Sequence, residues 1–160
     1  MPRLKGTYLL ILHLASDIAA LRVGRLGQFT FAAGYYIYVG SAFGPGGIQA
    51  RLAHHRQKIK AHPHWHIDYL RAQARLVEAW AVGCDAPLER ALVSTLAGEA
   101  DLSAPVPGFG ASDSDRHSHL LYAPRRPSSR ALTTAVIAAA ESDGTYVREL
   151  TIEIHVFDER

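Results

Sequence analysis

From Tyr35 to Lys60 the chain reads YYIYVGSAFGPGGIQARLAHHRQKIK, and this stretch limits the possible folds more than any other. Tyr35 to Val39 are all aromatic or β-branched, which predicts a strand. The pattern breaks at Gly40 and passes through a loop holding Gly44, Pro45, Gly46 and Gly47. A helical pattern follows. At about 100° per residue, Ile48, Leu52 and Ile59 share one narrow stripe, bordered by Arg51, His55 and Lys58. Strand alternation puts Tyr36, Tyr38 and Gly40 on one face. A strand, a glycine turn and a basic helix without spacers can hold a phenol, a guanidinium and an imidazole close together. Phosphodiester chemistry needs that set.

At 160 residues and 48% hydrophobic content the chain has enough material for one domain with a real core. The single cysteine, Cys84, excludes an internal disulfide and any zinc site built on two or more thiolates. No apolar run reaches the roughly 20 residues of a membrane span. The opening MPRLKGTYLLILHLA has basic residues before an apolar run, but His13 interrupts it and no A-x-A site follows. A cytoplasmic protein is therefore expected. The net charge of +2 conceals a split: residues 1–67 carry eight Lys/Arg and one acid, while residues 68–160 carry nine Arg and fourteen acids. Between Pro45 and Ile67 stand four Lys/Arg, five histidines and no acid. This run is either a surface for phosphates or a solvated helix face.

In chain order, Gly6–Leu14 is nearly continuous apolar and predicts a strand buried on both faces. Leu21–Val23 and Gln28–Phe31 predict short strands. His62 to His66 reads as a loop, Asp68–Ala74 as a short helix and Leu76–Val82 as a strand. A helix is expected over Pro87–Leu96, with Pro87 in its first turn. The polar SAPVPGFGASDSDRHSH segment reads as a loop, His119–Tyr122 as a short strand and Ala123–Arg130 as a linker. A helix over Ala131–Ala140 and a half-buried alternating strand over Leu150–Val156 complete the chain.

Each candidate side chain has two readings. Tyr8 and Tyr38 on strands are packed rings with tethered hydroxyls, or functional phenols. Arg51 and His55, four apart, stack on one helix face as a solvated pair or as a phosphate grip beside a proton carrier. Glu89 falls on the side of Leu92, where a carboxylate costs solvation unless paired or metal-bound; alternatively it is a first-turn acid favoured by the helix dipole. His64-Trp-His66-Ile-Asp68 spells H-x-H-x-D, similar to the opening of the metallo-β-lactamase motif, but Tyr69 stands where that motif requires histidine. A histidine-rich zinc site is the alternative this leaves open. Gly40–Gly47 resembles a phosphate loop without the lysine and Ser/Thr of a Walker motif.

Taken together, GTY at Gly6–Tyr8, YVG at Tyr38–Gly40, Arg51, His55 and the later Glu89 resemble the GIY-YIG nuclease superfamily. More narrowly, YYIYVGSAFGPGGIQARLAHH, HWHIDYL and FGASDSDRHSHLLY are similar to a small branch of unknown function, found alone or fused to endonuclease III-type DNA glycosylases. The resemblance covers Gly6 to Tyr122. It implies a metal-dependent endonuclease acting on nucleic acid, DNA first, with a place in DNA repair. Tyr8 would activate or position the attacking water and Tyr38 would support it. Arg51 would hold the scissile phosphate, His55 would assist proton transfer, and Glu89 would ligate one Mg²⁺ or Mn²⁺. Tyrosine is a poor base at its free pKa of about 10, so Arg51 or the metal must depress it, or it only orients water. Arg56, Lys58, Lys60, His64 and His66 would contact the nucleic acid. Thr7 and Val39 replace the isoleucines of the eponymous motifs. The chain has no asparagine to serve late in the site, so Asp113 or His119 would have to stand in. Ser114 and Arg116 occupy places where siblings in the branch often carry cysteines.

The expectation is an α/β (α+β) protein with a small GIY-YIG-like mixed sheet flanked by helices. Residues 1–123 would form that domain, and residues 124–160 an extension packed on it or on a partner. A silent nucleic-acid-binding module on the same scaffold is the alternative to the enzyme.

Overall fold

A computed structural model of the chain describes residues 4–111, 117–144 and 150–159. In order, the elements are β1 (Gly6–Leu14), β2 (Ile18–Val23), β3 (Gly27–Phe31), β4 (Gly34–Ala42), α1 (Gly47–Arg56), α2 (His66–Arg71), β5 (Arg75–Gly83), α3 (Glu89–Ala97), β6 (Leu120–Ala123), α4 (Ser129–Ser142) and β7 (Thr151–Val156). The fold is α+β, a helix-flanked sheet as expected. One five-stranded sheet runs β6-β4-β1-β5-β7, and β2-β3 form a separate hairpin. Every strand pairing in the described residues is antiparallel, so in its strand directions the sheet is not the mixed one expected. No described helix is long and apolar enough to cross a membrane.

β1 lies at the centre, and its continuous apolar sequence follows from cover on both faces. Tyr8, Leu10 and Leu12 join Tyr36 and Tyr38 in a core with Ile48, Ile67 and Leu70 from α1 and α2, closed by the hairpin's Val23 and Phe31. Leu9 and Ile11 face the opposite way and join Trp80, Val82, Leu92, Leu96, Leu132 and Val136 under α3 and α4. The basic helix α1 therefore packs on the Tyr8/Tyr38 face, as the sequence predicts.

The register of β1 on β4 sets Tyr8 opposite Gly40. The Tyr8 ring lies across that glycine so closely that a Cβ there would overlap its Cζ and Oη. The third residue of YVG thus makes room for the tyrosine of GTY. After β4 the chain turns through Gly46 and Gly47, both at positive φ (85° and 62°), which only glycine adopts without strain. The Ile48 amide then donates to the Leu4 carbonyl at 2.8 Å, fixing the start of α1 beside β1.

Helix α1 stops at Arg56, earlier than the apolar stripe suggests, and Ile59 lies beyond it, 71% exposed. The cause is Arg71, a fully buried guanidinium that donates to the carbonyls of His55, Arg56 and Ala74 at 2.8, 3.1 and 2.8 Å. It takes up the open carbonyls at the end of α1, and Glu159 Oε2 accepts from it at 2.6 Å. α2 begins two residues before the expected Asp68, and α3 begins at Glu89, leaving Pro87 just outside.

Residues beyond Ala123 complete both the sheet and the second core. Arg126, from the expected linker, pairs with the buried Glu78 at 2.9 Å, and Trp80 Nε1 donates to the same carboxylate at 3.1 Å. α4 packs on α3, and β7 pairs with β5. The alternating strand is not half-buried, however. It forms the sheet edge, with Ile154 38% and Val156 69% exposed, because only Ile152 of its apolar side chains packs against the core under α3 and α4.

The close approach at Gly40 is directly testable. Gly40→Ala should lower unfolding free energy by about 1–3 kcal/mol through overpacking. Gly44→Ala, whose Cβ would meet only Arg51 Nη2 at 3.6 Å, should change it far less. Denaturant titration of both variants checks the difference, and equal losses would refute the ring-over-glycine account.

Candidate active site

Three elements bring the expected residues together. β1 supplies Tyr8, β4 supplies Tyr38, and α1 supplies Arg51 and His55. Tyr8 Oη and His55 Nε2 share a buried hydrogen bond of 2.8 Å across 47 residues of sequence. The Tyr38 ring lies 6.3 Å from that of Tyr8 and 6.2 Å, edge-on, from that of His55. Arg51 is half-buried, and its guanidinium stacks 4.5 Å above Trp65.

Burial dominates the electrostatics. Loss of solvent raises the Tyr8 phenol well above its usual value, helped by Tyr38, Glu89 and Asp68, and only Arg51 pulls it down. Tyr38 is raised for the same first reason, followed by Glu89 and Asp68. Of the alternatives for Tyr8, net depression by Arg51 does not occur, because one guanidinium does not offset desolvation. His55 is pushed down to about 3, first by burial and then by His54, with Lys60 and Arg51 adding to the effect and Asp68 opposing it. At neutral pH the pair is a neutral phenol on a neutral imidazole. His55 Nδ1, on the far side of the ring, has no hydrogen-bond partner among the described residues.

Glu89, the first residue of α3, sits at one end of the sheet with 30% of its side chain exposed, 3.3 Å from His119 Nδ1. It lines a cleft of about 600 Å³ with Ser41, Pro87, Arg90, Ala91, Ser94 and Asp143. Glu89 contributes to the electrostatics of both tyrosines, so it belongs to the same neighbourhood although α3 packs on the other face of the sheet. A solvent-accessible carboxylate of this kind fits a hard divalent ion that keeps several waters. Of the two stand-ins for the missing asparagine, His119 is at this position. Asp113 lies outside the described residues, as do Ser114 and Arg116.

The basic run divides. Lys60 turns inward: its ammonium donates to the Gln57 carbonyl at 2.6 Å and lies 3.4 Å from Asp68 Oδ1, with only 7% of the side chain exposed. Arg56 is exposed and stacks 5.2 Å over Phe157, and Lys58 contributes to the field on Glu159. His64 is exposed, and His66 Nδ1 accepts from the Gly110 amide at 2.9 Å.

Asp68, weighed in the sequence only as a possible zinc ligand, is instead the charge hub behind α1. Oδ2 accepts from the amides of His64 and Trp65 at 2.8 and 3.0 Å, and Oδ1 meets His54 Nε2 at 2.9 Å. Burial works to raise its pKa, but these hydrogen bonds and Lys60 prevail and lower it. Among the described residues the grouping with metal-ligand proximity is His54, His55 and Asp68, with ligand atoms within 4.8 Å of one another. His64 and His66 are not in it. Sequence reasoning also passed over His54, Trp65 and Arg71. The signal for Asp68 was its place in the first turn of α2, where an acid meets free amides.

The fold and the gathered side chains define an α+β domain with a buried tyrosine–histidine pair beside a half-exposed arginine and carboxylate. The family model described as "Domain of unknown function DUF123" matches residues 7–142, from β1 through α4, and the chain belongs to that family. No curated protein and no solved structure matches the chain.

The low pKa of His55 fixes a sign. Unfolded histidine titrates near 6.5, so between that pH and about 3 the unfolded chain binds a proton that folded His55 refuses. Stability should fall as pH drops through this window. His13 and His66, also lowered, add to the slope, while Asp68 and Glu159 contribute only lower down, near carboxylate pKa values. His55→Gln should reduce the slope between about pH 6.5 and 5 by roughly 1 kcal/mol per pH unit. Denaturant unfolding across that range measures it, and an unchanged slope would mean that His55 titrates freely.

Proposed function

We propose that the protein is a metal-dependent endonuclease of GIY-YIG type acting on nucleic acid, DNA first. The observation that carries this reading is the Tyr8–His55 hydrogen bond beside Tyr38 and Arg51. It joins, in one neighbourhood, the residues at which the sequence resembles that superfamily.

The chemistry follows from the arrangement. Arg51, at the rim, binds a phosphate oxygen and adds positive charge where charge develops on the phosphorus. The Tyr8 hydroxyl, too weakly acidic to form a phenolate unaided, orients the attacking water and passes hydrogen-bond polarity to neutral His55. Tyr38 packs against both rings and holds them in place. Glu89 would hold one Mg²⁺ or Mn²⁺ in the open cleft, and the ion would supply Lewis-acid stabilisation of phosphoryl charge.

A second reading has its own support: Tyr8 and Tyr38 are only 3% and 7% exposed, as packed rings are. On that reading the domain binds nucleic acid without cleaving it. The zinc-hydrolase reading draws on His54, His55 and Asp68, but Lys60 and two backbone amides already occupy much of the carboxylate's capacity.

Cleavage of branched, flapped and duplex DNA with Mg²⁺ or Mn²⁺ tests the proposal. Tyr8→Phe should cut turnover by roughly 10²- to 10⁴-fold with affinity unchanged, and Tyr38→Phe should cut it less. Glu89→Gln should abolish metal-supported cleavage and leave binding intact. Equal, trivial effects at both tyrosines, with binding retained, would establish the silent module.

Binding should fall steeply with salt. Arg56→Ala with Lys58→Ala should flatten the logarithmic salt slope by up to about 2. Lys60→Ala should leave that slope nearly unchanged and lower stability instead, because its ammonium serves Asp68. Fluorescence-anisotropy titrations at several salt concentrations, paired with thermal melts, separate the two roles.

A further inference from the structure

The five-stranded sheet ends on β7, and among the described residues no strand pairs with its outer edge. Open edges are usually guarded by lysine, proline or a bulge. TIEIHV contains no lysine or proline, and its pairing with β5 runs without a register shift. Two of the large exposed apolar side chains, Ile154 and Val156, lie on this one strand. Glu153 and His155 point to the other face, largely exposed and 3.3 Å apart.

This edge is complementary to itself. We propose that β7 pairs antiparallel with β7 of a second copy about a two-fold axis through Ile154, joining the two sheets into one. That register sets Ile154 against the partner's Ile154, Ile152 against the partner's Val156, and Glu153 against the partner's His155. Each Glu153 carboxylate then faces a His155 ring N–H of the partner copy, giving two matched donor–acceptor pairs, and the apolar row lies on the same sheet face as Trp80 and Val82. A register centred on Glu153 keeps the faces matched but sets carboxylate against carboxylate, and one centred on His155 sets imidazole against imidazole, so the Glu–His match selects Ile154. The contact is independent of the nuclease reading, and cleavage assays do not bear on it.

Sedimentation velocity of the full chain over a concentration series tests the inference. The wild type should show a species of twice 17.5 kDa that dissociates on dilution. Ile154→Lys, which puts two ammonium groups at the axis, should raise the dissociation constant at least tenfold, as should Glu153→Lys. The double variant Glu153→Lys with His155→Glu sets an ammonium against a carboxylate across the axis and should regain dimerisation. Circular dichroism confirms folding, and Glu153, 67% exposed, provides a test should Ile154→Lys fail to fold. A wild type that stays monomeric at the highest attainable concentration overturns the proposal. So does a dimer indifferent to both single variants, or a charge-swapped double variant that stays dissociated.

Discussion

Tyr8 is held on two sides at once, and much of the molecule follows from that. Its ring needs a partner strand without a side chain opposite it, which Gly40 provides, and its hydroxyl needs a buried partner, which His55 provides. The first requirement fixes the register of β1 on β4. The second fixes the rotation of α1 about its axis, since His55 must point inward although its neighbours Arg56 and Gln57 are exposed. An unmade hydrogen bond at such depth would cost about 1–3 kcal/mol. Strand register and helix orientation are thereby coupled through one side chain.

Two further buried charges keep α1 where Tyr8 needs it. Arg71 gathers the last carbonyls of α1 and carries them to Glu159, which also accepts from the Leu76 amide at 3.0 Å. Asp68 gathers His54, Lys60 and the amides that open α2. Each ion is almost fully satisfied, which is the condition under which a buried charge is tolerated. Both stand behind His55: Arg71 holds its carbonyl, and Asp68 lies close enough to oppose the fall in its pKa.

The sequence disclosed the parts of this arrangement that periodicity controls. β1 follows from its apolar run, β4 and the glycine turn from their residue types, and the sheet-facing side of α1 from its stripe; the inclusion of Tyr8 with Tyr38, Arg51 and His55 rests on the family resemblance. Where α1 ends was not legible, because the group that caps it, Arg71, comes from the next helix. Lys60 read as a surface cation because its partner Asp68 lies eight residues on, outside any window that counts local charge. The alternation of Leu150–Val156 announced a strand correctly but not its burial; period 2 fixes which residues share a face, and cover depends on helices that reach the neighbouring strand and stop. Tyr8 shows the same limit in electrostatic form, since a pKa in a fold depends on desolvation that no local pattern encodes.

The site is divided between dry and wet halves, and that division constrains its chemistry. Tyr8, Tyr38 and His55 lie in the core, where each resists ionisation, whereas Arg51 and Glu89 keep contact with solvent. Charge enters from the rim, and the interior supplies geometry. A neutral phenol–imidazole pair in a low-dielectric pocket is a stiff hydrogen-bonding unit, able to orient a polar group without a standing charge that would have to be neutralised at rest. On the proposed reading, a phosphate oxygen or an ion at the rim would strengthen its buried hydrogen bond, since little water screens the field between them. The same burial that makes Tyr8 a poor free base thus leaves its acidity sensitive to the charges of Arg51 and Glu89, which act on it in opposite directions.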